Sequence, residues 1–309
     1  MWFKKHESVK IYGFYVMIVI YLGLVSCKNN SGSEVSLLSK DTIRIKKLYE
    51  FLSQEDIDSV VQLPSDIKRV RGFRSWPQDY DDFRNDTLDN VFWEDVKVRY
   101  ADFRGSTFRS AKCDGADLSN SDFRVADIRW TKFHYAFLKN CNFDQAKLFH
   151  VQSDFAYYDE STFRGANLFG MEAHFAYFRN CDFTGALLKD AELVESDFTG
   201  SKFIKARLIR TVMSKAVLDS TDFYKADMTG AQFQKASFKD AKLHYANLQG
   251  SHLEGADFTG ADLTGVNFYG ARLDKTNFKG AKNIPSGIKK FIDKEGLATG
   301  SIQEMSENK

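Results

Sequence analysis

The chain has three prolines in 309 residues. That is too few for a loop-rich structure and suits continuous backbone pairing. Its four cysteines lack zinc-site spacing. The net charge of +1 at pH 7 argues against a dedicated nucleic-acid surface or a funnel for acidic substrates. Long apolar runs are scarce: the run from Ile11 to Val25 is short for a spanning helix. No phosphate-cradling Gly loop, separate Ser-His-Asp set or paired-carboxylate cleft is present. The expectation is a protein without catalytic activity and without a cofactor.

Phenylalanine is abundant, at 28 residues, and it is regularly placed. A large apolar residue recurs at every fifth position through Phe103, Phe108, Cys113, Leu118 and Phe123 as far as Phe278, with no insertion or deletion. A small residue precedes each by two, as in Ala101, Ser106, Ala111 and Ala116. A step of five drifts around a helix and flips faces on a straight strand. A short extended piece followed by a corner keeps both residues inward, and a chain that turns in this way at each unit must coil into a solenoid.

The units Ala116-Asp117-Leu118-Ser119-Asn120, Ala226-Asp227-Met228-Thr229-Gly230, Ala256-Asp257-Phe258-Thr259-Gly260 and Ala261-Asp262-Leu263-Thr264-Gly265 resemble the pentapeptide-repeat family. The resemblance implies an all-β solenoid, a right-handed quadrilateral β-helix with four units per coil. Steps of twenty support four sides. One column of large residues is almost all aromatic (Phe103, Phe123, Phe143, Phe163) and the next largely aliphatic (Ile128, Leu148, Leu168, Leu188). The Asp or Asn before each large residue is read as serving the corner of its unit, not as a row of catalytic carboxylates.

Residues 1–26 read as an export signal: Lys4, Lys5 and Lys10, the apolar run, then Leu24-Val25-Ser26-Cys27, which resembles a bacterial lipobox. By that resemblance Cys27 is the lipidation site and the mature protein is a membrane-anchored lipoprotein of the cell envelope. Lys28 after the cysteine favours the outer membrane over the inner. Residues 27–40 are expected to form a polar tether, 41–90 a partly helical lead-in covering the first coil, 91–283 the β-helix, and 284–309 a capping helix and tail. Ile288, Phe291 and Ile292 would share one face of that cap. Cys113 occupies a large-residue core position, whereas Cys141 and Cys181 occupy small-residue core positions and read as buried small residues.

Departures from the repeat point to a site. Ser153 and Ala173 replace the large residue one coil apart, and each is followed by a Phe, Phe155 and Phe175. This pattern predicts a local shift of frame, with the Phe side chains pointing either outward or into the space left. Tyr135, Phe155 and Phe175 form one outward column, Phe137, Tyr157 and Tyr177 a second, and Phe149 and Phe169 a third on another side. The first two make a candidate interaction patch. His134, Asp154 and His174 stack at its edge and are weak candidates for a metal. The expected role is an envelope scaffold binding another protein, with no nucleic-acid partner. The alternatives are an envelope carbohydrate-binding module using the same aromatics and, given the neutral rod and export signal, less readily a DNA-mimicking gyrase binder of the kind known in the family.

Overall fold

The five-residue unit becomes structure by satisfying its own backbone. A computed structural model describes residues 77–299. Consider the unit Cys141 to Gln145. Asn142 N–H donates to Ser121 O of the coil below (3.0 Å), Phe143 N–H to Thr162 O of the coil above (2.7 Å) and Gln145 N–H to Arg164 O (2.9 Å). Asp144 N–H donates to the Asn142 side-chain oxygen (2.9 Å), and Ala146 N–H closes the turn on Phe143 O (3.0 Å). With Cys141 N–H donating to Ser161 Oγ (2.9 Å), each N–H of the unit has an acceptor, as backbone turned away from water requires.

Parallel bridges link residues twenty apart, in four ladders. The first face carries Asp102, Asp122 and Asn142, the second Thr107, Asp127 and Lys147, the third Lys112, Lys132 and Gln152, and the fourth Asp117, Phe137 and Tyr157. Each face contributes a single bridged residue per coil. The fifth residue of each unit turns the corner in the left-handed region, for example Asn140 at φ 54° and Gly185 at φ 69°. This resets the next unit to point inward. Every glycine between residues 77 and 285 sits at that position.

The interior is a stack of like on like. From Phe83 to Phe223 the first-column rings lie parallel, with centroids 4.5 to 5.0 Å apart. This is the interstrand spacing, so the core repeats with the backbone. The frame does not shift at Ser153 and Ala173. Gln152 still bridges Glu172, and Ser153 N–H reaches Glu172 O at 2.7 Å. The missing volume is supplied from the next column of the same coil. Fully buried Tyr158 places its hydroxyl 2.7 Å from Ser153 Oγ, and Phe178, beside Ala173, stacks on Tyr158 at 4.7 Å. Close packing needs total volume, not a large residue at each position.

Both ends differ from the sequence expectation. The rod starts earlier than residue 91: Asp82 already bridges Asp102, and Phe83 is buried under Phe103. At the other end the expected capping helix is one turn, α1 (Ser286–Lys289), which buries Ile288. The chain then doubles back. Ile292 pairs with Ala298 and Leu297 with Asn277, both antiparallel. Phe278 N–H donates to Gly296 O (2.7 Å) and Ala298 N–H to Thr276 O (2.9 Å). Covering the open edge of the fourth face requires backbone partners, which a helix lying across it could not supply. Residues 1–26, the tether and most of the lead-in lie outside the described residues.

Candidate interaction surface

Tyr135, Phe155 and Phe175 occupy the corner between the third and fourth faces, each with positive φ (59°, 59° and 55°). All three are exposed, at 58%, 39% and 43%. Bulky side chains in the left-handed region cost about 1–2 kcal/mol each relative to glycine. Every glycine between residues 77 and 285 sits at an equivalent corner, but most corners carry other residues, such as Asn140, Lys205 and Lys215, so this cost is general to the rod. Sequence reading missed this strain. The signal that reveals it is the confinement of glycine to one position in five.

Phe137, Tyr157 and Tyr177 are consecutive bridge residues of the fourth face. Phe137 is exposed and the two tyrosines half-buried. The two columns are parallel ladders. Tyr135–Phe155 and Phe155–Phe175 stack at 5.1 Å, Phe137–Tyr157 at 5.1 Å and Tyr157–Tyr177 at 5.0 Å, with planes within 8°. Rings stacked in this way cover one another's faces and turn their edges outward. On the far side of the fourth face stand Lys139, Asp159 and Arg179. Arg179 pairs with Asp159 at 2.6 Å and lies 5.3 Å from the Tyr177 ring centre. Burial pushes the Asp159 carboxyl up, but the Arg179 side-chain and backbone bonds outweigh it and hold the group below its usual range.

Phe149 and Phe169 lie apart from these ladders, at the corner between the second and third faces. Phe149 meets Trp130 edge-on at 5.6 Å, with the Arg129 guanidinium over both rings at 5.1 Å.

His134, Asp154 and His174 do stack along the patch edge, as corner hydrogen-bond partners. Asp154 N–H donates to His134 Nδ1 (3.2 Å) and His174 N–H to Asp154 Oδ1 (2.9 Å). His134 Nδ1 stands 3.6 Å from Asp154 Oδ2, while His174 Nε2 turns to Glu192 Oε2 at 4.0 Å. Among the described residues no three such side chains converge in a metal-binding arrangement. The repeated aspartates also hold corners: Asp102 Oδ1 accepts Arg104 N–H at 3.1 Å, and Asp197 Oδ1 accepts Thr199 N–H at 2.9 Å. Cys113, Cys141 and Cys181 are buried thiols, and burial pushes Cys141 up to about 12. Cys27 lies outside the described residues, among which no helix is long and apolar enough to cross a membrane.

The family model for pentapeptide repeats matches in eight copies, over residues 94–124, 176–214, 201–240 and 241–280. No curated protein matches the sequence. Similar solved structures include HetL, involved in heterocyst differentiation regulation in the cyanobacterium Nostoc. It is 20% identical, with 74% of this chain and 98% of that chain covered and a TM-score of 0.40. Rfr23 of the cyanobacterium Cyanothece is 30% identical over 31% of this chain and 61% of that one, with a TM-score of 0.27. QnrB1, a plasmid-mediated fluoroquinolone resistance protein, is 21% identical over 64% and 91%, with a TM-score of 0.31. The match to the family model over residues 94–124 and 176–280, together with four ladders of twenty-residue spacing, shows that the chain carries pentapeptide repeats.

Proposed function

We propose that this protein is a non-catalytic scaffold of the bacterial cell envelope, anchored by lipid at Cys27, which docks a protein partner on the aromatic ladder of its fourth face. The observation that carries the docking role is the ladder of exposed Phe137 and half-buried Tyr157 and Tyr177, stacked at 5.1 and 5.0 Å on the fourth face beside the exposed corner aromatics. Exposed aromatics gathered in this way are characteristic of binding surfaces. The ladders also favour a protein over a glycan. Sugars pack on ring faces, and here the neighbours cover them. Outward edges suit aromatic faces, carbonyls and aliphatic groups of a protein surface. The lipid anchor rests on the lipobox-like residues before Cys27 alone.

A photo-crosslinking residue placed at Tyr157 should capture a discrete partner in the native cell, and one at Lys202 on the first face should not. Replacing both Tyr157 and Tyr177 with Ser should weaken binding of the identified partner at least about tenfold, the cost of losing two buried aromatic contacts. Equal capture from both positions would remove the docking assignment. Cys27→Ser should abolish incorporation of labelled fatty acid, and unchanged incorporation would remove the anchor.

A further inference from the structure

The third face, next to the corner ladder, carries an unusual charge order. Its bridged column reads Lys112, Lys132, Gln152, Glu172, Glu192 along successive coils. Charge passes from positive through neutral to negative, with Gln152 at the centre. The four charged residues are exposed. Elsewhere on the rod, charges are largely spent within the chain, as in Arg109–Asp89 at 2.6 Å or Arg210–Asp190 at 2.8 Å. Lys132 and Glu172 make no ion pair among the described residues. Glu172 accepts only an amide hydrogen bond, from Gln152 Nε2 at 3.2 Å. At four coil steps of about 4.8 Å, the column is about 19 Å tall.

We infer that this face binds a second copy of the chain, antiparallel, about a two-fold axis passing through Gln152 at right angles to the rod. A two-fold of that kind sets each column against itself reversed. Lys132 then faces Glu172 of the second copy, Lys112 faces Glu192, and each pair occurs twice. No parallel arrangement aligns the column this way. The corner ladder closes one rim, with Tyr135 against Phe175 and Phe155 against its own counterpart. Two rim contacts oppose the arrangement: Asp154 meets its own copy, and on the other rim Arg109, itself paired with Asp89, meets Lys189. The two paired columns outnumber these, with four opposite-charge contacts. The ladder of this face runs without a break through these coils. This inference goes beyond the docking role and leaves Phe137, Tyr157 and Tyr177, on the adjacent face, open to the partner.

The test follows sedimentation of the full chain in density-matched detergent across a concentration series, since a strip of this height gives a dimer that dissociates on dilution. The wild type should dimerise. Lys132→Glu and Glu172→Lys should each weaken the dimer about tenfold or more, through like charges brought face to face. Mixing the two variants should restore it, because the two introduced charges, opposite in sign, then face each other, and so do the native Lys132 of one copy and the native Glu172 of the other. Tyr157→Ser with Tyr177→Ser should leave it unchanged, which separates failure here from failure of the docking role. A monomeric wild type, or a mixture no tighter than either variant alone, overturns the inference.

Discussion

Ser161 shows how much one hydroxyl can do inside this core. At the preceding coil the turn from Leu138 to Cys141 lacks its own closing bond. Ser161 Oγ fills the gap: it accepts Cys141 N–H at 2.9 Å and donates to Leu138 O at 2.8 Å. Ser201 does the same for Cys181 and Phe178, and Ser196 for Ala176 and Ala173. Replacing Ser161 with Ala would leave a buried donor and acceptor unmet, at a cost of roughly 1–3 kcal/mol. A urea melt should register the loss, whereas Ala241→Gly in a turn closed by its own backbone should cost less, near the roughly 0.5–1 kcal/mol typical of Ala to Gly. The five-residue spacing marked Ser161 as small and inward. It could not mark it as a bridge, because the bond it repairs belongs to residues twenty positions earlier.

The element of this fold is the corner, and its backbone has one demanding residue. Val125 occupies it at φ 61° with 64% exposure. A β-branched residue there costs about 1–2 kcal/mol, while glycine would lose about 0.5–1 kcal/mol more entropy on folding. The first effect wins, so Val125→Gly should raise the urea midpoint, by up to about 1 kcal/mol of stability. An unchanged or lowered midpoint would show that Val125 gains something by packing. The columns of Phe and Leu were legible in the sequence because identical depths repeat every twenty residues. The apparent fault at Ser153 was misread, since the volume that repairs it arrives from Tyr158 in another column. The antiparallel cap was not legible either: Leu297 and Ala298 carry no pattern of their own and are placed by the edge they cover. The aromatic site was legible as spacing, but its stacking, with ring faces covered and edges outward, needed the side chains.

For the whole molecule, acid should be the main threat. Burial raises the carboxyls of Asp89 and Asp144, but the bonds from Arg109 and Arg164 outweigh it, so both sit below the ordinary 3.8. Asp159 behaves alike through Arg179, and Asp102 is lowered chiefly by its side-chain bond from Arg104. Groups depressed on folding contribute stability above their unfolded value and lose it as pH falls through the folded one. Stability should therefore be level near neutrality and decline below about pH 4, where these carboxylates take up protons. Urea midpoints measured across that range test this, and Asp159→Asn should flatten part of the decline. A midpoint insensitive to acid would mean that the pairs are too solvated to matter.

The unbroken register makes position along this rod a matter of counting. Removing twenty consecutive residues from the middle excises one complete turn of the solenoid and rejoins like with like. The fold survives, and everything beyond the cut slides about 4.8 Å toward the start. Removing one residue instead throws every later side chain out of its column. Evolution can therefore lengthen or shorten this molecule without disturbing its columns only in whole storeys, and the height at which the aromatic ladders stand above the start of the rod is set by how many storeys lie beneath them.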